Sequence, residues 1–266
     1  MRLDAGGSRP SAGRSACLSF WGWVGHSRRI RAACGAVATA LALCGCQSTQ
    51  ERSAELRLQA KHDVLASQGV SVTKQNPSVK VLQSAVIHSH EGVAVVVALR
   101  NTGTHALENA PIEITVRDTH GSVVFQNNAS GEEPSLTTVS LLEPGQETIW
   151  VDDQVQATGT PTSASAVVGE AKQASGSIPQ LSVAGTHPSA EAGAETTLSG
   201  TVANRSQTTQ QNLVVYAVAR RSSKIVAAGR AVLPEVSAGT NASFQIYFVG
   251  DPSGAQIQTS APATTF

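Results

Sequence analysis

The chain has 266 residues, enough for one large domain or two small ones. Nineteen basic residues balance nineteen acidic ones, which excludes a strongly basic nucleic-acid binder and an acidic disordered chain. Hydrophobic residues make up 41%, enough for a core, while charged residues are only 14% and aromatics 4%, so neither a charged surface nor an aromatic platform dominates.

The zero net charge is an average over two unlike parts. Residues 1–45 hold six arginines, no lysine and one acid, Asp4; the remainder holds thirteen basic and eighteen acidic residues. All four cysteines, Cys17, Cys34, Cys44 and Cys46, fall in the first 46 positions, so the body after Cys46 has no internal disulfide in any compartment. Ser27-Arg28-Arg29-Ile30-Arg31 is a short basic stretch, and Ala32 to Gly45 is a 14-residue run of small and apolar residues. As a helix that run spans about 21 Å, short of the roughly 30 Å hydrocarbon core, and its charge order is that of a signal peptide rather than a membrane span. The pattern is already compact from Val24 onward, and a start of translation at a valine codon there is the expectation. Leu43-Cys44-Gly45-Cys46 resembles a bacterial lipobox. The resemblance implies cleavage before Cys46, a diacylglycerol thioether on the Cys46 sulfur, and a membrane partner reached through that lipid anchor.

From Cys46 to Pro77 the composition turns polar. Ser48-Thr49-Gln50-Glu51 has capping-box spacing, and a short helix is predicted near residues 50–66 within a flexible stalk. After Pro77 the pattern is that of strands. Val79–Leu82 and Ala85–Ile87 lead to a nearly continuous apolar run, Gly92–Leu99. Asn101-Thr102-Gly103 is turn chemistry. Ile112, Ile114 and Val116 then alternate with polar residues, which marks a strand with one buried face. Turns at Asp118–Gly121 and Leu142–Gly145 separate two further strands, Ser122–Phe125 and Thr148–Val151. Short strands at such spacing predict an antiparallel sandwich.

The same order recurs downstream. Asn204 falls 103 positions after Asn101, Tyr216 falls 102 after Ile114, and Gly239 and Phe244 fall 94 after Gly145 and Trp150. Two repeats are therefore predicted, at 78–169 and 178–266, joined by a polar linker at 170–177 and preceded by the signal (1–45) and stalk (46–77). Asn101-Thr102-Gly103, Ile114-Thr115-Val116-Arg117-Asp118, Gly121, Leu142-Glu143-Pro144-Gly145 and Trp150 together resemble the FxLYD-type family of immunoglobulin-like domains in bacterial envelope proteins. The second repeat keeps less of that pattern, with Tyr216-Ala217-Val218-Ala219-Arg220 and Ala238-Gly239 at the corresponding places. The fold class expected is mostly β: two tandem immunoglobulin-like antiparallel β-sandwiches.

Chemistry is sparse. His88-Ser89-His90-Glu91 is the one dense histidine cluster, and His88 and His90 would share a strand face, but no third metal ligand is identified. There is no Gly-x-Ser-x-Gly elbow and no phosphate-binding glycine loop. The adjacent acids Glu132-Glu133 and Asp152-Asp153 would point to opposite faces of a strand, and they read as solvated edges or turns. Arg220, Arg221 and Lys224 form one small basic group at a hairpin turn, too little for nucleic acid against an acidic body. Tyr247, between Ile246 and Phe248, is expected to face outward. No catalytic residue, cofactor or metal is assigned, and lipidation at Cys46 is the one site. The expected function is an anchored, non-enzymatic envelope lipoprotein whose two modules bind another envelope protein or act as a spacer. A ligand-capturing lipoprotein serving a transporter and an envelope hydrolase are the alternatives.

Overall fold

The computed structural model describes residues 69–189 and 196–266. The signal segment, Cys46 and the helix expected near residues 50–66 lie outside the described residues. The described chain is almost entirely β, with a single 3-10 turn at Pro134–Leu136 and no α-helix. The first half contributes β1 (Val79–Ser89), β2 (Gly92–Asn101), β3 (Leu107–Arg117), β4 (Val123–Gln126), β5 (Thr138–Leu142), β6 (Glu147–Asp152), β7 (Ser163–Val168) and β8 (Lys172–Gln173). The second contributes β9 (Leu181–Ser189), β10 (Thr197–Asn204), β11 (Gln210–Arg221), β12 (Lys224–Val236), β13 (Asn241–Tyr247), β14 (Val249–Gly250) and β15 (Gln256–Ser260).

These strands form four antiparallel sheets. In the first half β1-β2-β6 is one sheet, and β3 centres the other, with β4 and β5 along one edge and β7 and β8 along the other. The second half repeats the plan: β9-β10-β13 is one sheet, and β11 lies between β12 and β15 in the other. Among the described strands no ladder joins one half to the other. Sequence dictates the correspondence at two buried asparagines. Asn101 Nδ2 donates to the carbonyls of His105 (2.8 Å) and Leu142 (2.9 Å), and its Oδ1 accepts the Gly103 N–H (2.9 Å). Asn204 Nδ2 donates to Thr208 (2.9 Å) and Val236 (3.1 Å), and its Oδ1 accepts the Ser206 N–H (3.0 Å). The partners match at the same offsets, 103 and 94, that align the two sequences.

The halves are packed into one body. The first core joins Leu99, Ile112, Ile114 and Trp150 to Val214, Tyr216 and Val218 of β11. The alternate residues of β11, Leu213, Val215, Ala217 and Ala219, enter the second core with Leu198, Phe244, Ile246 and Phe248. β11 is therefore buried on both faces, and so is β2 from Ala94 to Leu99. This accounts for the unbroken apolar runs: a strand covered on both faces has no solvent side on which to place polar residues.

Two segments differ from the sequence expectation. Lys172–Gln173, inside the expected linker, pairs with Leu107 and Glu108 of β3. The last residues of the expected stalk also belong to the body. The Val72 N–H donates to Glu113 Oε2 (3.0 Å), the Asn76 N–H donates to the Val168 carbonyl (2.9 Å), and Gln75 bridges to Gly169. A Cβ on Gly69 would overlap the Asn128 carbonyl. Polar composition misleads here because these residues pair through their backbone with the end of β7, which needs no apolar side chains.

Candidate functional site

The strongest concentration of buried charge lies where the halves meet. On β12, Arg230 stands opposite Tyr216 of β11, and both side chains turn toward the first half. The Arg230 side chain is only 2% exposed. Its Nε donates to Asp153 Oδ1 (3.0 Å), one terminal nitrogen to Ser135 Oγ (2.6 Å), and the other to Glu133 Oε2 (2.8 Å). The backbone N–H of Arg230 adds a bond to Asp153 Oδ2 (3.0 Å). Ser135 is held in turn: its Oγ donates to Glu133, and its carbonyl accepts Trp150 Nε1–H (3.1 Å). Three first-half residues thus grip one second-half guanidinium, through charge-assisted bonds of the stronger kind.

Asp152 sits beside this group, 1% exposed, accepting the Gln154 N–H at 2.9 Å. Burial pushes its carboxyl up to about 7; Asp153 and Glu132 push the same way, and the Gln154 N–H and Arg230 only partly oppose them. Burial also raises Asp153, despite Arg230. For Glu133, burial acts upward too, but the bonds from Arg230 and Ser135 outweigh it and hold this carboxyl below its usual range. Arg230 is raised, since its acidic partners outweigh the cost of burying it.

A cleft of about 510 Å³ opens next to the cluster, lined by Glu133, Ser135 and Ser140 from one half and by Asn212, Tyr216 and Thr264 from the other. That size lies within the usual range of ligand pockets, which favour such junctions.

The acidic pairs are a correction to the sequence reading. They are not solvated edges: Asp152 is buried, and Glu133 and Asp153 converge on Arg230. Alternation governs residues within a strand, but β6 ends at Asp152, so Asp153 is free to turn inward. A signal existed in the sequence. Arg230 is a lone charge within Ala227-Ala228-Gly229-Arg230-Ala231-Val232, and a charge in an apolar strand needs buried partners.

The remaining candidates are dispersed. Cys46 lies outside the described residues. His88 is exposed on β1, and His90 is 91% exposed in the β1–β2 turn, 3.2 Å from Glu91. Among the described residues no group of three or more His, Cys, Asp or Glu is placed to hold a metal. The basic group is locally matched: Arg220 bonds Gln83 (3.0 Å) and lies 3.7 Å from Glu147, while Arg221 lies 3.9 Å from Asp251. Tyr247 is exposed, at 54%. No helix among the described residues is long and apolar enough to cross a membrane. Neither the protein-family models nor the curated proteins contain a match to this chain.

Proposed function

We propose that this chain is a lipid-anchored protein of a bacterial envelope, held through Cys46, whose two immunoglobulin-like halves form a non-enzymatic body that binds another envelope protein. The observation that carries the reading is the order of segments: a basic stretch, a 14-residue apolar run, Leu43-Cys44-Gly45-Cys46, and then a polar stretch leading to a β body. Acyl chains on one cysteine give stable anchoring when two or more are present. The buried polar cluster supports a structural role, because the Arg230 guanidinium is committed to Asp153, Ser135 and Glu133 and ties the two halves together. The test is fractionation of cells expressing the full chain. Wild type should sediment with membranes and take up a radiolabelled fatty acid, and Cys46→Ala should lose both properties. Membrane retention of Cys46→Ala without label would overturn the anchor. Crosslinking in intact envelopes, followed by recovery of one reproducible protein partner, tests the binding role; recovery of none would count against it.

A further inference from the structure

Charge at the junction is unbalanced. Glu132, Glu133, Asp152 and Asp153 all act on this one region, and Arg230 is the one cation bonded within it among the described residues. The guanidinium is already committed to Glu133, Asp153 and Ser135. The Glu133 side chain is nonetheless 40% exposed, and it lines the cleft. The surrounding field is negative, which repels phosphate, sulfate and carboxylate ligands and attracts cations.

A second observation points the same way. Tyr216 is 3% exposed and lines the same cleft, yet among the described residues its hydroxyl makes no hydrogen bond. Its oxygen is not one of the fully enclosed side-chain atoms that lack a partner, so it keeps a small accessible surface on a residue that lines the cleft. Burial is the main cause that holds the hydroxyl proton on; Arg230 opposes it, and Glu133, Asp153 and Asp152 add to it. It therefore stays neutral and keeps lone pairs free to accept.

The rest of the lining is suited to a donor-rich ligand. Asn109 and Asn212 occupy matching places in β3 and β11, each at positive φ (50° and 48°) and each stepped over by its ladder. Both are exposed, and their side-chain amides are unbonded among the described residues. Asn accepts φ > 0 more readily than most residues, and at these places the backbone conformation turns an amide off the sheet. With Ser140 and Thr138 the cleft offers amide and hydroxyl oxygens around a carboxylate and a phenol.

We propose that this cleft binds a cationic amine, the ammonium of a lysine side chain or of a free alkylamine, with the Tyr216 hydroxyl and the Glu133 carboxylate as its acceptors. An ammonium is a compact cation with three donors and no acceptor, and it complements a site of oxygen acceptors in a negative field. Nothing in this assignment depends on the lipid anchor, so it stands or falls separately from the proposed localisation.

The experiment uses the body from residue 46 onward, isotope-labelled for NMR, titrated with acetyl-Gly-Lys-Gly-amide, with the same peptide carrying norleucine for lysine, and with n-butylamine. The lysine peptide should give saturable shifts at Asn109, Asn212 and Tyr216, weakened by added salt, and the norleucine peptide should give none. Tyr216→Phe keeps the ring and removes the acceptor; binding should fall roughly tenfold, about the worth of one hydrogen bond to a charged group. Butylamine binding as tightly as the peptide assigns the site to free amines; tighter peptide binding assigns it to a protein side chain. The proposal is overturned if norleucine binds as well as lysine, if the lysine peptide fails to saturate, or if Tyr216→Phe, with its melting temperature unchanged, binds like wild type.

Discussion

Arg230 is the residue on which the joining of the two halves most depends. Its partners sit 77 to 97 positions away in the chain, so the ion pairs form only when both halves are folded and docked. Replacing one member of a buried pair costs about 3–5 kcal/mol, because the partner charges remain buried and unmatched. Arg230→Met should therefore destabilise the body by roughly that amount in urea unfolding. Arg230→Lys should restore little of it, since an ammonium cannot bond Asp153, Ser135 and Glu133 in one plane. Asp152 adds a dependence on pH with a defined sign. Its folded value of about 7 lies above the unfolded value of about 3.9, so the folded state binds more protons between the two. Stability linked to Asp152 is then full below about pH 4, falls as pH rises toward 7, and is flat above. Thermal melts of wild type should lose stability from pH 5 to pH 8, and Asp152→Asn should flatten that slope; an unchanged slope would remove Asp152 as its source.

At the scale of elements, the two repeats differ most where β12 runs unbroken for thirteen residues while its counterpart is split into β4 and β5. β7 pairs with Ile112 and Ile114 from one edge of β3, but the gap leaves the β4/β5 edge without ladder partners at both. Asn127, fully buried, fills it: Nδ2 donates to the Ile112 carbonyl (3.0 Å) and the Leu136 carbonyl (2.8 Å), and Oδ1 accepts the Ile114 N–H (2.8 Å). A side-chain amide has the donor and acceptor of a peptide group, so this one residue replaces a missing strand segment. Asn127→Leu, of similar size, should leave three buried backbone groups unpaired and cost about 2–4 kcal/mol by denaturant unfolding, with hydrogen exchange rising at Ile114. Asn127→Asp should keep the Ile114 bond and lose the two donated ones. The strands themselves were legible. Alternation at Ile112, Ile114 and Val116 and the apolar runs at 92–99 and 213–218 all became strands. The repeat was legible through Asn101 and Asn204 because a buried amide that ties a turn to a distant strand end leaves few alternatives. Asn127 was not legible, since an Asn among polar neighbours reads as a turn. The meeting of Glu133 and Asp153 at Arg230 was hidden because periodicity describes a strand's own faces and carries nothing about which distant element covers them.

For the whole molecule, the consequence is that the two repeats are not independent beads. Val214, Tyr216 and Val218 of β11 share a core with β2, β3 and β6, so removing either half exposes a face of small and β-branched apolar residues on the other. Gly250 marks how closely the halves approach: a Cβ there would come within 2.8 Å of Ile87 Cγ2 in β1 and 2.4 Å of the Val226 carbonyl, and φ is +91°. Gly250→Ala should loosen that approach as well as strain the turn, lowering stability by a few kcal/mol on the order expected for overpacking with a special φ. Cooperativity follows from the same shared core. If docking supplies much of each half's stability, neither half persists once the other unfolds, and the transition is all-or-none. Calorimetry of the body should give one peak whose calorimetric and van't Hoff enthalpies agree. Arg230→Met should shift that peak down without splitting it, because both halves lose the same contacts. A fragment ending at residue 177 should bind a hydrophobic dye and aggregate, since the outer face of β1-β2-β6 has lost its cover. Two resolved peaks in wild type, or a soluble, dye-negative fragment with native melting, would show that the halves are separate modules. The interface between them would then be incidental to stability, and the body would serve its partner as a jointed rod rather than as one rigid block.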